Sequence, residues 1–248
     1  MRRFVSILLS LAVLLSCSMA FAQNPMAPMN RFYAAVKGVW CDQDGHRKVV
    51  FGDDNIMNGI RVSEVNNLVG DNLNGSATIT VIGKMGVNYV NVFWDTTAGK
   101  KSIKLGNYVT LVPYTGDPQY VESVGGLHLD MTEPEVENRY GAAQLLDASA
   151  TKALCGVSDE SWYYPNIGLV VTFDPVTFTA DRLILLKGAS SAFDISVLNA
   201  DSPLYKYSAI YGWSFTPAPG DIVDMGYGQS MNFKYYPQAV MLQLNYVN

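Results

Sequence analysis

Residues 127–187 restrict the fold more than any other stretch of this chain. They open L-H-L-D-M-T-E-P-E-V-E-N-R-Y-G and close on G-L-V-V-T-F-D-P-V-T-F-T-A-D-R-L-I-L-L-K. Thr132 is an N-cap with Glu135 three residues on, the spacing of a capping box. Glu133 and Glu135 suit the positive end of a helix, and Pro134 falls in the first turn, where a missing N–H costs little. Gly141 supplies the stop. Residues 167–173 and 181–187 are then apolar runs, parted by the turn Asp174-Pro175-Val176-Thr177. Such runs imply strands buried on both faces or lying next to a helix. The stretch reads as a short helix followed by antiparallel strands.

The order L-x-L-x-M-T-x-x-E-V-x-x-x-Y-G, then Trp162-Tyr163-Tyr164, then G-L-V-V-T-F-D, resembles the SmpA/OmlA-type module. That fold is shared by outer-membrane assembly lipoprotein E and by β-lactamase inhibitor proteins. Ala142-Ala143 stands where the pattern has a proline, and the link to Trp162 is long. The resemblance implies a small helix-on-sheet module that binds proteins and carries no catalysis. It names no partner.

The first 22 residues have the three parts of a secretory signal peptide. Arg2 and Arg3 are basic, residues 4–15 are apolar, and Ala20-Phe21-Ala22 is a cleavage site that puts Gln23 at the mature terminus. The rival is a lipid anchor on Cys17 in Leu14-Leu15-Ser16-Cys17, but Leu15 fits that box poorly. The reading is an exported protein of the periplasm, cell envelope or extracellular space. No later run approaches the roughly 18 apolar residues of a membrane-crossing helix. Without Arg2 and Arg3 the chain has 15 basic and 22 acidic residues, a net charge of −7. Nucleic-acid binding needs a basic footprint and is excluded as a class.

The mature chain divides into a leader at 23–36, a β-rich domain at 37–117, and an α+β module with an aromatic-rich extension at 118–248. Residues 23–30 read as disordered, with Pro25 and Pro28 and no periodicity, and 31–36 as one or two helical turns. From Trp40 to Tyr114 short strands alternate with turns, and Asn74-Gly75 is a type I′ hairpin signal. This predicts an antiparallel meander curling into a barrel or half-barrel. The fold class is therefore α+β and β-rich, a half-barrel followed by a helix on an antiparallel sheet. Ser202-Pro203 and Gly212 frame a helix at 203–211, while aromatics at odd positions from Tyr205 to Phe215 would also suit a strand. Cys41 and Cys155 leave two readings open: a disulfide suited to an exported protein, or two separate buried thiols.

The motifs of common active sites are missing. There is no G-x-S-x-G, no P-loop and no dinucleotide fingerprint. Asp42, Asp44 and His46 resemble the start of a calcium loop, but Gly45 is misplaced and no Glu closes it. Gly226-Tyr227-Gly228-Gln229-Ser230 lacks a strand–turn–helix frame. His128 reads as structural. No metal or cofactor is assigned. Tyrosines 163, 164, 205, 207, 211, 227, 235 and 236, with Trp213, crowd the second half. Exposed tyrosine and tryptophan favour binding surfaces, and buried ones are ordinary β-sheet residues. Two functions follow. The first is a non-enzymatic exported protein that binds another protein. The second is a small-molecule or glycan-binding β domain, including a hydrolase with paired carboxylates.

Overall fold

The computed structural model describes residues 26–43, 45–96, 99, 101–106, 110–116, 118–236 and 238–245. Residues 1–22, expected to be a signal peptide, lie outside them, and with them Cys17, Ala22 and the expected mature terminus Gln23.

The first half is a closed antiparallel barrel. It comprises α1 (Ala27–Val36), β1 (Gly38–Cys41), β2 (Val49–Phe51), β3 (Ile56–Met57), β4 (Ile60–Gly70), β5 (Asn74–Gly83), β6 (Gly86–Asp95), β7 (Ser102–Leu105) and β8 (Thr110–Pro113). Closure comes from β1 pairing with β8, Trp40 against Pro113 and Cys41 against Val112. The half-barrel expectation is corrected on this point. Closing the ring leaves no free edge to pair with another chain.

The interior is packed. Val62, Ala77, Ile79, Val81, Val90, Val92 and Trp94 point inward from the long strands, alternating with outward residues. Met29, Phe32, Tyr33 and Val36 of α1 join them, at the i, i+3, i+4, i+7 spacing of one helix face. The expectation of disorder is therefore corrected at 27–30, which join the helix expected at 31–36 in one element of the barrel core. Pro28 does not break it, because it sits in the first turn. Arg61, Glu64 and Lys104 face outward and are exposed. An interior this apolar is unlike the polar lumen of a lipid-embedded barrel. Among the described residues no helix is long and apolar enough to cross a membrane.

Asn74-Gly75 does not form the expected turn. It lies in β5, with Gly75 opposite Gly70, and the connection is 71–73. Asp71 Oδ1 accepts from the Leu73 and Asn74 amides and so closes the turn itself. Gly75 is needed for close approach instead: a Cβ there would lie 2.3 Å from the Trp94 ring.

The second half holds α2 (Glu133–Tyr140), β9 (Gln144–Leu146), α3 (Ala148–Cys155), β10 (Ser161–Tyr164), β11 (Leu169–Phe173), β12 (Ala180–Leu186), α4 (Leu204–Tyr211), β13 (Ile222–Gly226), β14 (Gln229–Lys234) and β15 (Ala239–Leu244). Its seven-stranded antiparallel sheet runs β13-β14-β15-β12-β11-β10-β9. The Thr132–Glu135 capping box is present in full. Val136 of α2 packs with Trp162, Leu183, Leu185 and Leu242 in one core. Cys155 and Val157 pack with Val170, Ile184 and Met241 in another. Alternate residues of β11 and β12 thus enter different cores, which accounts for their continuous apolar runs.

The helix reading at 204–211 holds over the strand reading, with Gly212 left-handed at its end. Ser202 is not its cap: its Oγ pairs with Asn199 Oδ1, and Pro203 takes the cap position. Cys41 and Cys155 are both free thiols, buried in different halves, so the disulfide alternative is not formed.

Candidate functional site

The barrel meets the sheet along a polar seam built by loops from both. Asn58 has a positive φ of 49° and accepts from Val50 N at 2.7 Å. Its Nδ2 donates to the Lys48 carbonyl at 2.9 Å and, across the seam, to the Thr177 carbonyl at 2.6 Å. The turn between β11 and β12 is tied by Asp174 Oδ1, which accepts from Val176 N and Thr177 N. Phe178 follows with a φ of 59° and turns its ring into the barrel core. Lys84 bonds Glu133 through its amide at 3.2 Å and Glu137 through Nζ.

Beside this seam lies a cleft of about 490 Å³. Arg47 and Asn88 reach it from the barrel, and Glu133, Asp159, Asp174, Asp181 and Arg182 from the second half. Its size falls in the range of small-ligand sites. Asp181 is placed there by a β-bulge: Thr172 pairs with Arg182 and Phe173 with Ala180, leaving Asp181 without an opposite residue. Thr172 Oγ1 donates to Asp181 Oδ1 at 2.5 Å. Arg182 Nη1 donates to Asp159 Oδ2 at 2.7 Å and lies 3.9 Å from Asp181 Oδ2. Arg47 Nε lies 3.7 Å from Asp174 Oδ2.

Burial sets the electrostatics of the cleft. It pushes the Asp181 carboxyl up to about 6, against the pull of Arg182 and the Thr172 hydrogen bond, and Asp174 and Asp159 add to the rise. Burial also raises Glu133, although the Lys84 amide and charge oppose it. A carboxyl near 6 can hold or release a proton close to neutral pH. The cleft thus offers two cations, several carboxylates and the Phe173 ring to a polar ligand.

Next in sequence to the cleft residue Arg47, His46 is 1% exposed. Its Nδ1 lies 2.5 Å from Asp130 Oδ2, and its Nε2 meets the Tyr227 carbonyl. Asp130 Oδ1 also accepts from Arg47 N at 3.1 Å. His128 stacks on Tyr120, centroids 4.0 Å apart. Residues 226–229 are the tight turn of the β13–β14 hairpin and form no nucleophile elbow. Among the described residues no group of side chains is arranged to hold a metal; Asp44 of the calcium-like run lies outside them.

The aromatic load divides. Tyr164 and Tyr207 are buried, whereas Tyr205, Tyr227, Tyr235 and Tyr236 are exposed. A second exposed apolar set lies on the barrel. Val87, Tyr89 and Phe93 share the outer face of β6, and Ile82 of β5 stands opposite Val87.

No motif marked Asp181 or Glu133. The one available signal was the charged pair Asp181-Arg182 opening an otherwise apolar strand, since buried charges demand partners. No family model, curated protein or solved structure matches this chain.

Proposed function

We propose that this chain is an exported, non-enzymatic protein of the cell envelope or extracellular space that binds another protein. The observation that carries this reading is the stripe Ile82, Val87, Tyr89 and Phe93, exposed by 56, 52, 73 and 47%. Large apolar side chains grouped on one face mark interaction surfaces. The barrel interior is occupied by its own side chains and α1, so the outer wall is the part left to bind with. The SmpA/OmlA-type resemblance of 127–187 agrees with this reading. The test is a photo-crosslinking residue at Tyr89 in the full chain expressed in its native cells, with the exposed Lys152 of α3 as the control position. One defined adduct at 89, absent at 152 and lost in Phe93→Asp, supports the reading. Equal labelling at both positions removes it.

A second reading has its own observation. The junction cleft, with the bulge-placed Asp181, suits a small polar ligand such as a glycan, and a carboxyl raised by burial would serve a hydrolase as its acid. The filled barrel counts against a ligand site in its interior, so this reading rests on the junction cleft alone. Titration with neutral oligosaccharides tests it: saturable shifts of the Asn88 and Phe173 amides support it, and their absence at millimolar sugar rejects it.

A further inference from the structure

His46 sits where a neutral imidazole does not fit. A neutral ring has one N–H and one lone pair. Both nitrogens of His46 face acceptors, the Asp130 carboxylate and the Tyr227 carbonyl. A carbonyl cannot donate, so the site is satisfied only when the His46–Asp130 pair holds the extra proton. Three separate segments meet here: residues 45–47 of the barrel, the 127–131 segment, and the turn between β13 and β14.

The loop carrying His46 is held under tension. Arg47 has a φ of 51°, a conformation that L residues with side chains avoid. Its amide is fixed by the same Asp130 that holds the imidazole. Its side chain then enters the cleft against Asp174. One carboxylate therefore orders both the histidine and the cleft arginine.

We propose that His46, Asp130 and the Tyr227 carbonyl form a proton-operated latch that seats the 45–47 segment on the second half and sets Arg47 in the cleft. Losing the proton leaves a lone pair against an acceptor in a buried site, an unmade hydrogen bond of the costly kind. The loop then lifts, and Arg47 relaxes from its left-handed conformation. The Asn58 bridge and Phe178 lie elsewhere along the seam and keep the halves together.

The groups around the ring set the direction. Burial alone drives the imidazole down. The hydrogen bond and charge of Asp130 outweigh it, helped by the Tyr227 carbonyl and the charge of Asp42, and the net shift is upward from 6.5. Asp42 also accepts from the His46 amide at 2.8 Å. Tyr120 donates to Asp130 at 3.4 Å and packs its ring against His46, with His128 stacked behind it. Cys41 lies within reach of the Asp130 charge, and Arg47 follows in sequence. With the folded value above the ordinary one, the latch is complete below 6.5 and is lost as pH rises through the raised value.

Imidazole nitrogen NMR on the full chain tests this directly, because the sequence has two histidines. His46 is expected to titrate above 6.5, with both nitrogens protonated below that point. Amide exchange at Arg47 supplies the second measurement. After correction for intrinsic pH dependence, its opening constant is expected to rise about tenfold per pH unit between 6.5 and the measured value, as release of one proton requires. Asp130→Asn is expected to lower the His46 titration and abolish the pH dependence at Arg47. A His46 titrating at or below 6.5 overturns the proposal on the unmodified chain alone. A raised His46 with pH-independent exchange at Arg47 overturns it equally, since the ion pair would then move nothing.

Discussion

Asn58 donates to the Thr177 carbonyl at 2.6 Å across 119 residues of sequence. The same side chain accepts from Val50 N, so one amide fixes a barrel turn and joins it to the sheet. Asn58→Ala is expected to cost about 2–4 kcal/mol. It strands a buried amide, and alanine resists the left-handed backbone that asparagine tolerates. Denaturant unfolding measures the loss; a change under about 0.5 kcal/mol, the level of ordinary surface substitutions, would remove Asn58 from the joint.

Phe32 is fully buried in the barrel core, edge-on to Phe51 and Trp94. Phe32→Ala is expected to destabilise the protein by about 3–5 kcal/mol, through lost burial and the cavity left behind. Urea unfolding checks it. A leader independent of the fold would give almost no change.

Asp181 makes stability depend on pH in the sense opposite to most carboxylates. Its folded value is raised to about 6 from 3.8, so the protein binds the proton more tightly when folded. Its contribution is complete below 3.8 and is lost as pH rises through about 6. Asp181→Asn should therefore match the parent near pH 4 and exceed it by about 1–3 kcal/mol at pH 8. Melting curves of both proteins across that range decide it. A deficit at pH 8 would mean that Arg182 needs the charge.

Burial raises the thiols of both Cys41 and Cys155, and each is almost fully enclosed. Neither should react with iodoacetamide in the native state, and both should react in denaturant. Intact mass with and without reductant reads this out. A mass two hydrogens lower without reductant would mean a disulfide.

Local elements were legible wherever backbone chemistry is local. Thr132 and Glu135 lie three residues apart, and their capping box follows from spacing alone. Gly212 ends α4 for the same kind of reason. The misreadings at 27–30 and Asn74-Gly75 came from signals with two meanings. Pro28 breaks a helix interior but starts a helix well, and Gly75 serves a hairpin turn or a close approach to Trp94. Residues 87–94 alternate in the sequence, with Val87 and Tyr89 on one parity and Val90, Val92 and Trp94 on the other, but which parity faces outward depends on the barrel.

The sequence by itself determined the capped helix, the apolar strands and the excess of acidic over basic residues. Each depends on neighbours within a few positions or on composition. The tertiary structure alone decided the rest. Barrel closure requires β1 to find β8 across the whole first half. Asp181 faces the cleft because of a bulge in its pairing with β11, and His46 meets Asp130 over 84 residues. Such meetings depend on register and on the docking of one half against the other, and no spacing along the chain encodes them.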